Sequence, residues 1–200
     1  MPKSNLKNLL AIAALALATP FVAGCVAATV GAVTVVGADV VLDRRTAGTY
    51  VDDNTLELQI RKEILTHDQL GGDVNVSVTA MNGIILLTGE VGSDAQRKQA
   101  TNIARSYEGV RQVVNELQLA GKTGFGSRTN DTWITTKAKT ALLREDGVNA
   151  NDIKVVTEGG KVYLLGLVTE QEAKSAVAAV KNVSGVTHII KVFEYIEQPR

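Results

Sequence analysis

The chain has 200 residues, 45% of them hydrophobic, and its 21 acidic side chains balance 21 basic ones. Zero net charge excludes a nucleic-acid binder that works by bulk charge and leaves only a local patch, while the apolar content excludes a disordered chain. One Cys and two His exclude an intramolecular disulfide, a cysteine-based metal site and a His-rich metal cage.

Lys3 and Lys7 make a positive start, and Leu9 to Leu17 is an uncharged apolar core of nine residues. That length suits the core of an export signal and is too short to span a bilayer. Val22-Ala23-Gly24-Cys25 follows and resembles the bacterial lipobox, an aliphatic residue and two small ones before a Cys. Residues 1–24 therefore read as a lipoprotein signal peptide and Cys25 as the lipidation site, its thiol taking a diacylglyceryl group and its freed amino group a further acyl chain. The alternative is a buried Cys closing an apolar helix, which leaves the ordered succession of segments unexplained. Three acyl chains anchor far more firmly than one, at ~0.8 kcal/mol per buried CH₂. Val26 follows the Cys where an Asp would retain a Gram-negative lipoprotein at the inner membrane. The resemblance thus implies transfer to the outer membrane, lipid-anchored and facing the periplasm.

Residues 25–50 read as the lipidated N-terminus and a tether. Val26 to Leu42 carries one charge, Asp39. It is either a second spanning helix or an apolar tether lying on the membrane or on the folded part; Gly31, Gly37 and the β-branched run weaken the helix. Asp43-Arg44-Arg45 ends the apolar stretch.

The remainder is a repeat. Asp53-Asn54-Thr55-Leu56 matches Asp131-Thr132-Trp133-Ile134, Leu86-Leu87-Thr88-Gly89 matches Tyr163-Leu164-Leu165-Gly166, and Gly109-Val110 matches Gly185-Val186, at offsets of 78, 77 and 76. The first copy, residues 51–120, predicts a helix on Leu56, Ile60 and Ile64 with Asp53 as its N-cap. A strand follows in which Val74, Val76 and Val78 alternate with polar residues, then an Asn82-Gly83 hairpin turn and a return strand Ile84 to Val91. Ser93 caps a second helix carrying Ala100, Ile103 and Ala104, and Val110 to Leu119 is the last strand. Gly121 to Asn130 reads as a Gly-rich linker.

The second copy, residues 131–197, repeats the order. Ile134, Ala138 and Leu142 line its first helix, Gly159-Gly160 makes the turn, and Thr169 caps a helix with Ala173, Val177 and Val180 inward. Strand Val186 to Ile196 closes it. The expected class is α+β: two tandem units, each helix-strand-strand-helix-strand, with a three-stranded sheet covered by two helices. About 65 residues per unit is marginal for a lone core, so the copies are expected to pack together or lean on the tether.

The unit order, the Asn-Gly or Gly-Gly turns, Gly89 and Gly166 in the second strands and the late Gly-Val pairs resemble the BON domain. Two such units behind a lipobox are similar to the dual-BON outer-membrane lipoproteins of Gram-negative bacteria. Asn130-Asp131-Thr132-Trp133-Ile134-Thr135-Thr136-Lys137 is the most specific stretch of the resemblance. It implies a non-enzymatic protein without a cofactor that binds anionic phospholipid through the second domain. It also implies a part in outer-membrane integrity and gathering at division sites.

The residues themselves offer one candidate face. The helix from Thr132 to Arg144 carries Lys137, Lys139 and Arg144 and no acid, whereas its first-copy counterpart mixes Glu57 and Glu63 with Arg61 and Lys62. At 100° per residue, Trp133, Lys137, Thr140 and Arg144 form a stripe roughly 100° from the apolar one. Trp133 aligns with the polar Thr55. An indole beside cations suits a headgroup layer, and Phe125 in the linker would add an apolar anchor; the other reading packs Trp133 on the first domain or the linker. The lipid-binding candidates are therefore Trp133, Lys137, Lys139, Arg144 and Phe125. No catalytic or metal-ligating set is expected: His67 beside Asp68 lies in a loop, His188 in a strand, and Asp52-Asp53 reads as a helix start. A protein-binding adaptor for envelope assembly or cell-wall remodelling factors, using the first domain, is the competing class; nucleic acid is not an expected partner.

Overall fold

The computed structural model describes residues 44–68, 70, 74–119 and 125–197. The signal peptide, Cys25, the tether up to residue 43 and residues 121–124 of the linker lie outside the described residues.

Helix α1 spans Ala47–Thr66, capped by Thr46, whose side chain accepts the Thr49 N–H. Asp53 is therefore not the N-cap that the sequence suggests: the helix is already under way, and Asp53 is a buried mid-helix residue. Strand β1 (Asn75–Met81) pairs antiparallel with β2 (Ile84–Val91). The turn between them has positive φ at Asn82 (52°) and Gly83 (73°), the geometry that matches the right-handed strand twist. Helix α2 (Asp94–Arg105) is capped by Ser93. Strands β3 (Gln112–Asn115) and β4 (Gln118–Leu119) then run parallel to β2.

The single last strand expected over Val110–Leu119 is thus broken. Asn115 Oδ1 accepts the Leu117 N–H at 3.0 Å. The local turn sends Leu117, only 2% exposed, into the first core.

The second copy comprises α3 (Phe125–Arg144), a 3₁₀ turn (Ala150–Asp152), β5 (Ile153–Glu158), β6 (Lys161–Val168), α4 (Glu170–Lys181) and β7 (His188–Tyr195). Its sheet has the order β5-β6-β7, with β7 parallel to β6. Thr169 caps α4 in a reciprocal capping box with Glu172. Helix α3 takes in residues 125–130, which composition assigns to the linker; one Gly among them, Gly126, is too little to stop a helix.

Each unit has its own core between sheet and helices. In the first, Leu56, Ile60 and Ile64 meet Ile85, Leu87 and Val91. In the second, Ile134, Ala138 and Leu142 meet Val162, Leu164 and Val168. A third core joins them: Met81, Ile84 and Leu86 from one sheet face Tyr163, Leu165 and Val192 from the other. All eight residues of β2 are buried, because alternate side chains serve the unit's own core and the partner sheet. The two small units thereby bury apolar surface on both faces of each sheet.

Polar ties rim this interface. Glu57 accepts the Ala80 N–H at 2.8 Å and pairs with Lys154, which donates to the Ala80 carbonyl. Together they cover the free edge of β1 against foreign strands. Arg111 holds Glu194 with two bonds at 2.9 and 3.1 Å, and Asn82 donates to the same carboxylate.

Candidate functional site

Paired acids first. Asp53 Oδ1 and Oδ2 accept the N–H groups of Gly83 and Asn82 at 2.8 and 2.7 Å. In the second unit Asp131 accepts those of Gly160 and Gly159, both at 2.9 Å. The repeated Asp thus clamps a helix to its hairpin turn, filling donors that the tight turn leaves unpaired. Asp53 is also paired with Arg45 at 2.6 Å. These contacts tie Asp53 to the hairpin turn and to the segment ahead of α1. His67 ends α1 with Nε2 3.3 Å from Gln99 Nε2, and His188 is exposed beside Thr187 at the start of β7. Among the described residues no three His, Cys, Asp or Glu side chains come together in a metal-holding group.

Helix α3 is the most distinctive surface. Its inner stripe is Asp131, Ile134, Ala138 and Leu142. On the outer side Trp133 is 67% exposed, and Lys139 and Arg144 are exposed with it. Lys137 differs from the other two cations: its Nζ donates to the Ser184 carbonyl at 2.6 Å, tying the helix to the segment after α4. Phe125 is the first residue of α3.

Two features of this face escape sequence reasoning. Leu143 is 70% exposed. It adjoins the core residue Leu142 in sequence and is easily read with it, but the 100° step per residue turns it toward the Trp133 side. Thr132, Thr136 and Thr140 donate their hydroxyls to the carbonyls of Arg128, Thr132 and Thr136. Hydroxyls spent on their own helix make the face less polar than its residue types suggest. The outer side of α3 is therefore an aromatic and an aliphatic side chain set among basic residues, with no acid on the helix beyond Asp131.

A polar groove of about 560 Å³ runs beside it, reached by Lys139 and Arg128 of α3 and by Arg61 of α1. Glu158, half-buried at the end of β5, borders it. Burial, then the carboxylates of Glu90 and Asp131, push the Glu158 pKa up, and Arg128 pulls it down.

Two stretches, residues 52–121 and 130–197, match the BON domain family. The chain is 39% identical over 197 residues to "Outer membrane lipoprotein DolP" of Haemophilus influenzae, covering 98% of this chain and all of that protein. It is 37% identical to the "21 kDa hemolysin" of Actinobacillus pleuropneumoniae, covering 78% of this chain and 80% of that one. To the "Osmotically-inducible protein Y" of Escherichia coli it is 30% identical, over 72% of this chain and 74% of the other. With a helix-strand-strand-helix-strand unit in each matched stretch, the chain belongs to the BON-domain family and carries two copies of the domain.

Proposed function

We propose that this protein is a non-enzymatic lipoprotein of the outer membrane, anchored through Cys25 and facing the periplasm, whose second BON domain binds anionic phospholipid through the outer face of α3. It supports outer-membrane integrity, with division sites as its place of work. The lipobox and the likeness to an outer-membrane lipoprotein support the location. Among the described residues no helix is long and apolar enough to cross a membrane.

The observation that carries the lipid reading is the exposed pair Trp133 and Leu143 on a helix whose Lys139 and Arg144 are free to meet phosphates. The indole suits the headgroup layer. Each basic residue near an anionic surface adds ~1 kcal/mol, a contribution that salt screens.

Trp133→Glu tests this. In the polypeptide from Arg44 onward the substitution should abolish cosedimentation with phosphatidylglycerol vesicles and leave the melting temperature within about 2 °C, since an exposed site contributes within roughly 0.5 kcal/mol. Normal melting with undiminished binding would move the lipid site off α3. A second reading, a protein-binding adaptor, is favoured by a separate feature: Val51, Leu58 and Leu65 are 59, 71 and 56% exposed and recur every seven residues on α1 of the first domain.

A further inference from the structure

Helices α1 and α3 belong to different domains, yet Arg61 of α1 and Lys139 of α3 line the same groove. They occupy equivalent positions of the repeat, at the offset of 78 that also relates Asp53 to Asp131. Arg128 joins them from the first turns of α3. Among the described residues none of these three cations has an ion-pair partner, whereas Arg44, Arg45, Arg111 and Lys154 are all paired. Three unpaired cations converging on one concavity repel each other, an arrangement that an anion relieves.

Two carboxylates, Asp131 and Glu158, border the same groove, so its lining carries one more cation than acid. Both oxygens of Asp131 are taken by the turn N–H groups of Gly159 and Gly160. Glu158 is half-buried; burial and the carboxylates of Glu90 and Asp131 raise its pKa, and Arg128 lowers it. Ser77 of β1 adds a hydroxyl to the lining.

We infer that this groove is an anion site shared by the two domains, that its ligand is a phosphate group, and that Arg61 of the first domain is one of its ligating residues. Two guanidinium forks and an ammonium suit a group that presents several oxygens in different directions, which a phosphate does and a halide does not. The volume exceeds one phosphate and admits a phosphodiester with its glycerol. Lys139 and Thr136 lie both in the groove and on the outer side of α3, so a lipid headgroup could enter from the membrane face. The groove itself would equally take a free phosphate; only the choice of source rests on the lipid reading above.

The test uses the full chain in neutral detergent micelles, followed by amide NMR. Two probes are added separately: inorganic phosphate, and micelles doped with phosphatidylglycerol. Both should shift Arg61, Thr136 and Lys139. Arg61→Gln, at an exposed site that leaves the rest of the spectrum in place, should weaken both responses about fivefold, as expected for one cation near an anionic group. Trp133→Glu should lose the micelle response and keep the phosphate response. A micelle response that Arg61→Gln leaves unchanged, or phosphate that leaves the groove unshifted, overturns the shared site while leaving the lipid reading intact. A phosphate response weakened by Arg61→Gln, with no response to doped micelles, upholds the site and overturns the lipid reading.

Discussion

Replacing Gly89 by Ala should unfold the first domain, and Gly166→Ala should do the same to the second. A Cβ on Gly89 would lie 1.9 Å from the Asn75 carbonyl oxygen, and one on Gly166 would lie 2.3 Å from that of Asp152. Backbone stands in the way in both cases, so no side chain can swing aside. Gly89 also has φ near +112°, a conformation that costs a residue with a Cβ about 1–3 kcal/mol more. Overpacking adds a similar amount, and the sum, roughly 4 kcal/mol, is a large share of the stability of a small domain. Urea melts followed by circular dichroism measure it. Gly48→Ala in the first turn of α1, where the nearest atom is 3.8 Å away, is the control and should be neutral or slightly stabilising. Equal melts for Gly48→Ala and Gly89→Ala would show that the strand relaxes around the methyl group.

Arg44→Ala should be the most damaging change at a charged residue. Arg44 sits ahead of the first domain in sequence but is pinned to the second. Its Nε pairs with Asp152 at 2.8 Å, its Nη1 donates to Glu172 at 2.8 Å and to the Leu167 carbonyl at 3.1 Å, and its backbone N–H donates to Asp152. Removing the guanidinium leaves two carboxylates buried without their cation, a loss of about 3–5 kcal/mol.

The pH dependence gives a second readout. The Arg44 guanidinium, helped by Thr169, holds the Glu172 carboxyl down to about 2. A folded pKa below the unfolded one stabilises the fold above the ordinary carboxylate range and loses that stabilisation as pH falls toward about 2. The amount is about 3 kcal/mol at full extent. Wild type should therefore lose stability steeply between roughly pH 5 and 2, and Arg44→Ala, already destabilised at pH 7, should show a much shallower acid slope. Parallel slopes would assign the acid sensitivity to other carboxylates.

The elements were legible because their signals are local. Helix faces such as Leu56-Ile60-Ile64, the positive-φ turns and the Ser93 and Thr169 caps all rest on neighbours within a few residues. What was not legible depends on distant partners. Asp53 looks like a cap because a small acid stands at the start of an apolar period, yet its donors are Asn82 and Gly83, across the unit. Asp43-Arg44-Arg45 reads as a polar stop, yet the partners of Arg44 lie more than a hundred residues away. The inter-sheet core did leave a trace: Ile84-Ile85-Leu86-Leu87 is continuous rather than alternating, the mark of a strand buried on both faces. In the candidate face, the exposure expected for Trp133 is observed, whereas Leu143 and the threonine ladder require the helix in three dimensions.

Trp133 is the only Trp in the chain, so its fluorescence reports on the proposed lipid face without labels. The full chain should be reconstituted in bilayer nanodiscs, one set zwitterionic and one containing phosphatidylglycerol. With zwitterionic lipid, emission should be that of a water-exposed indole. With phosphatidylglycerol it should shift to the blue and become shielded from aqueous quenchers, and added salt should reverse the change. The same water-exposed emission and quenching in both bilayers would contradict binding of anionic lipid through α3.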